Sequence, residues 1–225
     1  MHIPEELLTI CREHSIQKRA PGEPILYQGE VPRHAYILTE GIAKIYDIGG
    51  AGDEKIVNFL SVGDLLPPAW VFKKAPVSLY YYDAFTPCSY YRIPRDTLLA
   101  AIQNTPAITY FMFEHYATSF VGSLLEINAL EQSKGSEKII HMLQYLLMRF
   151  PSNRGQGKDW QRIDLRITHQ DLANMTGLTR ETTSTELNKL RRKKIVEYSN
   201  QHYSLNIPLL RSLLSSEEFL SFKLQ

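Results

Sequence analysis

The chain has 225 residues, of which 44% are hydrophobic, so it exceeds one typical domain and can fill two modest cores. Its two cysteines are too few for a disulfide framework or for an iron–sulfur cluster held by four thiolates. The net charge of +1 is unevenly divided: residues 136–225 hold 14 Lys or Arg against 9 Asp or Glu, and residues 1–135 hold 11 against 15. A basic C-terminal half favours contact with phosphate groups.

No segment predicts a membrane span. The longest apolar runs are interrupted by Pro67 and Pro68 or by Arg149. The N-terminal stretch, MHIPEELLTICREH, carries acids where a signal peptide would carry cations and an apolar core. We therefore expect a cytoplasmic protein with no membrane partner.

Residues 1–105 contain short extended segments separated by glycine, a rhythm typical of antiparallel β-structure. Strands of this length and spacing favour a sandwich or roll, with glycines at turns that need a positive φ. We therefore predict an N-terminal antiparallel β-roll over residues 1–105. Its predicted strands are residues 25–27, 35–38, 42–46, 56–60, 79–82 and 89–93.

A long helix is predicted over residues 106–134. Apolar or small residues recur there at alternating steps of three and four, at Tyr110, Phe113, Ala117, Phe120, Leu124 and Ile127. This spacing is typical of a coiled-coil seam, so we predict a dimerisation helix that lies parallel to its copy in a second chain. The alternative is a single helix that buries the same residues within its own subunit.

The C-terminal domain is predicted over residues 135–225. Gly135 interrupts the helical pattern, which makes the Gly–Ser junction a candidate hinge, and Ser136 is expected to cap the next helix. That helix has an apolar face formed by Ile139, Ile140, Leu143, Leu146 and Leu147. A turn-rich loop is expected over residues 151–158, followed by a strand over residues 163–167.

Residues 168–195 predict two short helices joined by a glycine turn. Thr168 is expected to cap the first helix, with Asp171 at the capping-box position. Gly177 permits a tight left-handed turn, and Thr179 is expected to cap the second helix. This arrangement is typical of a helix-turn-helix.

The second helix carries side chains that suit a DNA major groove. Leu187 and Leu190 form its buried stripe, and the opposite side carries Arg180, Glu181, Ser184, Thr185 and Lys189. Arg bonds guanine bidentately, Glu accepts from cytosine, and hydroxyls reach phosphates or base edges. We expect Arg180 and Glu181 to read bases. We also expect contacts to bases or phosphates from Ser184, Thr185 and Lys189, and contacts that position the DNA backbone from Thr168, His169 and Thr179.

The alternative to DNA reading is an ordinary helical hairpin whose basic run, residues 191–194, only solvates and charge-caps a helix C-terminus. The residues that follow favour the DNA interpretation. Residues 196–198 and 203–207 form alternating segments around the polar tip at residues 199–202, which predicts a small hairpin. A helix-turn-helix followed by a hairpin is a winged helix.

With its run Arg180-Glu181-Thr182, the winged helix resembles the C-terminal domain of the cyclic-AMP receptor protein and fumarate-nitrate regulator (Crp/Fnr) family of bacterial transcription factors. The resemblance implies an α+β fold and a sequence-specific regulator that binds double-stranded DNA as a homodimer on a two-fold operator. It also implies contact with RNA polymerase. The family usually has a further Arg where this chain has Thr185, and apolar residues in place of Thr183 and Glu186. The operator sequence is therefore expected to differ from the family's half-sites.

The roll resembles the N-terminal domain of the same family over residues 24–93, including Tyr-Gln-Gly-Glu at residues 27–30 and Glu-Gly at residues 40–41. In the family's cyclic-nucleotide binders a Gly-Glu pair meets the ribose, and an Arg followed by a small hydroxyl residue neutralises the phosphate. Gly63-Asp64 matches the first pair, whereas Ser78 and Leu79 occupy the Arg and hydroxyl places. Because a buried phosphate needs a partner charge, we expect an unidentified effector other than cyclic AMP, or none. The candidate effector contacts are Gly63, Asp64, Ser78, Leu79 and Ser123.

Two other functional classes stay open at this point. A roll enzyme of the cupin type would need clustered metal ligands, but the seven histidines are scattered singly, without a His-x-His or Glu-x-x-His pair. The chain also lacks a nucleophile elbow and a phosphate loop, so we expect no enzyme activity, metal or cofactor. The other alternative is an adaptor that uses the winged helix to contact proteins. Specific DNA affinity that weakens steeply with salt would separate a regulator from both.

Overall fold

The computed structural model describes residues 3–152 and 159–213 and divides into two compact units, residues 1–117 and 118–225. The strands of the first unit are β1 (Ser15–Arg19), β2 (Pro24–Leu26), β3 (Ala35–Glu40), β4 (Ala43–Ile48), β5 (Glu54–Leu60), β6 (Leu65–Leu66), β7 (Tyr81–Ala84) and β8 (Cys88–Ile93). Its helices are α1 (Glu5–Arg12), α2 (Pro68–Val71), α3 (Arg95–Asn104) and the first part of α4 (Pro106–Glu131).

The strands of the first unit form two four-stranded sheets with the orders β1-β8-β3-β6 and β2-β7-β4-β5. Every pair of neighbouring strands is antiparallel. This arrangement confirms the predicted N-terminal antiparallel β-roll.

Tyrosine rings fill much of the core to which both sheets contribute. Tyr36, Tyr82 and Tyr90 are all buried there, and the rings of Tyr36 and Tyr90 meet edge to face at 5.3 Å. Strand alternation places Tyr81 on the opposite face of β7 from Tyr82, where its ring stacks on Tyr46 at 5.1 Å. The run of tyrosines at β7 is therefore engaged in packing.

Some strand predictions in the roll are wrong. The run at residues 79–82 becomes a strand only at Tyr81, because the backbone of Ser78 exchanges hydrogen bonds with Gly29 and Glu30 in a loop. Strand β1 was not predicted. Its sequence, SIQKR, is mostly polar because β1 is an edge strand that pairs with β8 alone.

Helix α4 exposes an apolar stripe along its length. Phe113 and Phe120 are 72% and 65% exposed in the single chain. Tyr110, Leu124 and Ile127, at the same helical spacing, are also exposed. The chain by itself thus leaves uncovered the residues that the spacing assigned to a dimer seam. Within the described residues, no helix, α4 included, is both long and apolar enough for a membrane crossing.

The second unit contains the rest of α4, followed by α5 (Gly135–Arg149), β9 (Trp160–Arg162), α6 (His169–Thr176), α7 (Arg180–Arg192), β10 (Val196–Ser199), β11 (His202–Asn206) and α8 (Ile207–Leu213). Its three strands form an antiparallel sheet with the order β10-β11-β9. The two helices α6 and α7, followed by the β10–β11 hairpin, confirm the predicted winged helix-turn-helix.

Two details of the second unit differ from the sequence prediction. Helix α5 begins at Gly135 with Lys134 as N-cap, so Ser136 lies inside the helix and does not cap it. The strand expected over residues 163–167 is absent from the described structure, where only Ile163 forms an isolated bridge. Its alternating apolar residues are buried, and only the N–H groups of Ile163 and Ile167 donate to the β10–β11 hairpin, at the Tyr203 and Gln201 carbonyls. Of the loop predicted at residues 151–158, residues 153–158 lie outside the described residues.

Candidate nucleic-acid interface

The helix-turn-helix is defined by local hydrogen bonds and one glycine. Thr168 Oγ1 accepts from the Asp171 backbone N–H at 3.1 Å, and the Asp171 carboxylate accepts from the Thr168 N–H at 2.8 Å, which confirms the capping box. Gly177 has a φ of +68°, the left-handed conformation that a turn between two helices requires. Thr179 Oγ1 accepts from the Thr182 N–H at 3.1 Å, which confirms it as the N-cap of α7.

Helix α7 has a buried side and an exposed side. Leu187 and Leu190 are buried as predicted, and Thr183 lies beside them with no exposed surface. The Thr183 hydroxyl has no hydrogen-bond partner among the described residues. The other side of α7 has Arg180, Glu181, Thr185 and Lys189 exposed and Ser184 half-buried.

An open cavity of about 580 Å³ lies beside the N-termini of α6 and α7. It is lined by Thr168, His169, Gln170, Arg180 and Tyr198. The capping threonine, the Arg180 guanidinium and an aromatic side chain of the hairpin therefore face one concave surface. Such a surface offers a cation and hydroxyl groups to a phosphate backbone.

His169 connects both helices with the hairpin. Its Nδ1 lies 3.1 Å from the Ser184 hydroxyl oxygen on α7. Its ring contacts the rings of Tyr198 at 4.8 Å and Tyr203 at 6.2 Å between centroids. Burial, and secondarily the positive charges of Arg180 and Arg191, lower the pKa of His169 below its usual value. The imidazole is therefore neutral at physiological pH.

The C-terminal turn of α7 is basic. Lys189, Arg191 and Arg192 lie in this turn, and Lys193 and Lys194 follow it directly. Lys189 Nζ forms an exposed ion pair with Glu186 at 2.6 Å. Exposed pairs contribute little free energy, so Lys189 can exchange this partner for a phosphate at small cost.

The hairpin that follows α7 has the predicted tip. Asn200 and Gln201 connect β10 to β11 with φ values of +50° and +62°. Two successive residues with positive φ match the two-residue turns that close antiparallel hairpins. The hairpin is packed on the helix-turn-helix through the rings of Tyr198 and Tyr203.

The structure brings several of the predicted DNA contacts together and adds others. Thr168, His169 and Arg180 line the cavity, and Ser184 is joined to His169, whereas Thr185 and Lys189 lie further along α7. Gln170 and Tyr198 also line the cavity and were not predicted as contacts. The position of Gln170, beside two predicted contacts at the start of α6, was the only sequence signal for it. No sequence signal pointed to Tyr198.

The candidate effector residues of the roll are largely engaged within the protein. The Asp64 carboxylate accepts from the Ser61 N–H at 2.6 Å and lies 2.5 Å from His115 Nε2, with both side chains buried. The Ser78 hydroxyl is buried and donates to the Tyr80 carbonyl at 2.9 Å. These polar groups are therefore already engaged in hydrogen bonds within the first unit.

The remaining candidates differ in exposure. Gly63 has a φ of +94°, and a Cβ there would lie 3.0 Å from the Phe111 ring. Leu79 is about half exposed, and Ser123 is half-buried on the part of α4 that lies in the second unit. Over the described ranges, no group of His, Cys, Asp or Glu is arranged to hold a metal ion.

Two family models match the chain. The model of the cyclic nucleotide-binding domain matches residues 16–105, and that of the Crp-like helix-turn-helix domain matches residues 137–213. Among curated relatives, the global nitrogen regulator of Synechococcus elongatus is 23% identical over 216 residues, which is 92% of this chain and 95% of the relative. The transcriptional activatory protein AadR of Rhodopseudomonas palustris is 28% identical over 181 residues, 78% of this chain and 71% of the relative.

Solved structures share the fold at lower identity. The c-di-GMP responsive global regulator CLP of Xanthomonas campestris superposes with a TM-score of 0.73 at 14% identity, covering 89% of this chain and 98% of that one. FixK2 of Bradyrhizobium japonicum superposes with a TM-score of 0.72 at 19% identity, covering 89% of this chain and 96% of the FixK2 chain. These likenesses show the fold, whereas the two domain matches and the curated regulators place the chain in the Crp/Fnr family of DNA-binding transcription regulators.

Proposed function

We propose that the chain regulates transcription by inserting α7 into the DNA major groove, with Arg180 and Glu181 as its base-reading residues. The observation that carries this proposal is their exposed position in the first turn of α7, where Arg180 also lines the open cavity. Arg at this position can bond guanine O6 and N7 bidentately, and Glu can accept from cytosine N4. Both side chains reach these groups from the N-terminal end of a recognition helix.

The residues around the base readers are assigned to phosphates and positioning. Thr168, His169 and Thr179 lie at or next to the N-termini of α6 and α7, where N–H groups and the helix dipole favour a phosphate. Ser184 and Thr185 carry hydroxyls along α7 that reach base edges or phosphates. Lys189 adds a cation near the C-terminal end of α7.

The homodimer in this proposal is formed by α4. Phe113, Phe120 and Leu124 belong to an exposed stripe with coiled-coil spacing, and an uncovered stripe of large apolar side chains favours association. A parallel pair of α4 helices gives the dimer two α7 helices for the successive major grooves of a two-fold operator.

Effector recognition in the proposal involves no cyclic phosphate. Ser78 and Leu79 occupy the places where cyclic-nucleotide binders of the family carry Arg and a hydroxyl residue, and the Ser78 hydroxyl bonds the Tyr80 carbonyl. Titration calorimetry with cyclic AMP is expected to give no binding heat. Contact with RNA polymerase is also part of the proposal and is supported by the family alone.

Selection of bound sequences from a random duplex pool tests the proposal. The purified protein is used at near-physiological salt, with and without a metabolite extract. A two-fold consensus without extract supports constitutive dimeric binding, and a consensus that needs the extract supports a small-molecule effector. Enrichment of no sequence under either condition would reject the proposed function.

Replacement of Arg180 tests the base-reading role. Arg180→Ala is expected to lose about 1 to 3 kcal/mol on the selected operator, with relaxed preference at one base position. Arg33→Ala, which removes an exposed arginine from the roll, is the matched control. Equal losses on operator and random DNA would assign Arg180 to phosphate and not to a base.

A further inference from the structure

His169 and Ser184 form a hydrogen-bonded pair between α6 and α7. The distance from His169 Nδ1 to Ser184 Oγ is 3.1 Å. Among the described residues this is the sole hydrogen bond of the Ser184 side chain, which does not bond back to a carbonyl of its own helix. Ser184 is a half-buried residue on the side of α7 that is assigned to DNA.

The environment of the imidazole decides which of its nitrogens carries the proton. His169 Nε2 is buried and has no partner among the described residues. A buried N–H without an acceptor is rarer in proteins than an unused lone pair, so the proton belongs on Nδ1, where Ser184 accepts it.

The charged groups around His169 favour a neutral ring. Arg180 and Arg191 approach from α7, and the rings of Tyr198 and Tyr203 approach from the hairpin. The positive charges of both arginines disfavour a protonated imidazole. No acidic group is among the charges that shift the pKa of His169. The tilted ring of Tyr198, 4.8 Å away between centroids, also restricts rotation of the imidazole.

The direction of this hydrogen bond sets the chemistry of Ser184. A serine hydroxyl has one proton and two lone pairs. When His169 Nδ1–H donates to Ser184 Oγ, the serine proton stays free and can be donated to DNA. In the major groove guanine, adenine and thymine each present an acceptor, whereas cytosine presents only its N4 donor.

We propose that His169 is a positioning residue that orients Ser184 as a hydrogen-bond donor to one base of the operator, so that the protein discriminates there against cytosine. The proposal rests on the proposed function, because it requires α7 in the major groove. It adds a specificity determinant on α6, outside the recognition helix, whose effect on the base is exerted through Ser184.

Two substitutions of His169 separate hydrogen bonding from packing. His169→Phe keeps a ring against Tyr198 and Tyr203 but has no N–H. His169→Asn loses the ring but has an amide N–H near the place of Nδ1. A merely structural role predicts that Phe is tolerated and Asn is damaging, whereas the proposed role predicts the reverse for base preference.

The experiment measures dissociation constants of the full-length protein for the selected operator with each of the four bases at every α7-contacted position. For the wild type we expect one position at which cytosine weakens binding by about 2-fold to about 12-fold, the range of one neutral hydrogen bond. Ser184→Ala and His169→Phe should abolish this preference, and the double variant should lose nothing further. His169→Asn should retain it. Thermal unfolding followed by circular dichroism checks that each variant is folded.

The possible outcomes distinguish the two proposals. A wild type that selects no sequence rejects the proposed function and this inference together. A wild type that selects an operator but prefers cytosine at the position affected by Ser184→Ala overturns the inference alone, and this result needs no His169 variant. Retention of the preference in His169→Phe, or an unchanged profile in Ser184→Ala, also overturns the inference and leaves Arg180 and Glu181 as base readers.

Discussion

The carboxyl group of Glu126 should make the stability of the protein depend on pH. Glu126 lies on α4 in the second unit and is 8% exposed. Burial raises the pKa of Glu126 from 4.5 to about 8, and the positive charge of Arg149 offsets only part of this rise. At neutral pH the folded protein therefore holds a proton on Glu126 that the unfolded chain has lost.

The sign and size of the effect follow from this difference. Because the folded-state pKa is raised, the stabilisation is complete below pH 4.5 and is lost as the pH rises to about 8. Each pKa unit corresponds to about 1.4 kcal/mol, so the full loss reaches at most about 5 kcal/mol. Relaxation around the charged group reduces this value, and we expect about 2 to 5 kcal/mol.

Glu126→Gln removes the titrating group and keeps a side chain of similar shape. The variant should match the wild type near pH 5 and exceed its free energy of unfolding by about 2 to 5 kcal/mol above pH 8. Urea unfolding from pH 5 to pH 9, at one fixed chain concentration because dimerisation adds stability, measures the difference. Glu131→Gln is the matched control, since Glu131 is exposed on the same helix.

A difference between Glu126→Gln and the wild type that stays constant from pH 5 to pH 9 would refute the reasoning. It would mean that Glu126 titrates alike in the folded and unfolded chains. A pH dependence of equal size in Glu131→Gln would point instead to the general charge of α4.

Three further predictions concern packing and assembly. Thr183→Val removes a buried hydroxyl without a hydrogen-bond partner among the described residues and should raise the free energy of unfolding by about 1 kcal/mol, measured by urea unfolding. A destabilised variant would indicate that this hydroxyl is hydrogen-bonded. Phe120→Glu places a charge in the exposed stripe of α4 and should shift a dimer to monomer in analytical ultracentrifugation; an unchanged dimer would exclude α4 as the seam. Gly41→Ala places a Cβ 2.1 Å from the Pro87 carbonyl oxygen and should lower the free energy of unfolding by about 3 kcal/mol. Gly22→Ala is the control, because Gly22 has the same φ of +83° but open space around it, and should cost about 1 kcal/mol. Equal losses in the two variants would contradict the clash.

The features that were predictable from sequence are those formed by neighbouring residues. The capping box of Thr168 and Asp171 and the turn at Gly177 need only residues a few positions apart, and both are present as predicted. The glycine-punctuated segments of the roll likewise became strands at nearly the expected places. Errors occurred where local pattern and tertiary pairing disagree, as at residues 163–167, whose alternating apolar residues are buried but form no strand beyond the bridge at Ile163.

The sequence by itself determined the β-roll, the long helix with its apolar stripe and the winged helix-turn-helix, because periodicity, caps and turn residues act over a few positions. Only the tertiary structure decided how the polar groups are used. It joined Asp64 to His115 and His169 to Ser184, and it buried Glu126 on the largely apolar helix α4. These contacts join separate elements or depend on the packing around them, so the spacing of residues along one element cannot predict them.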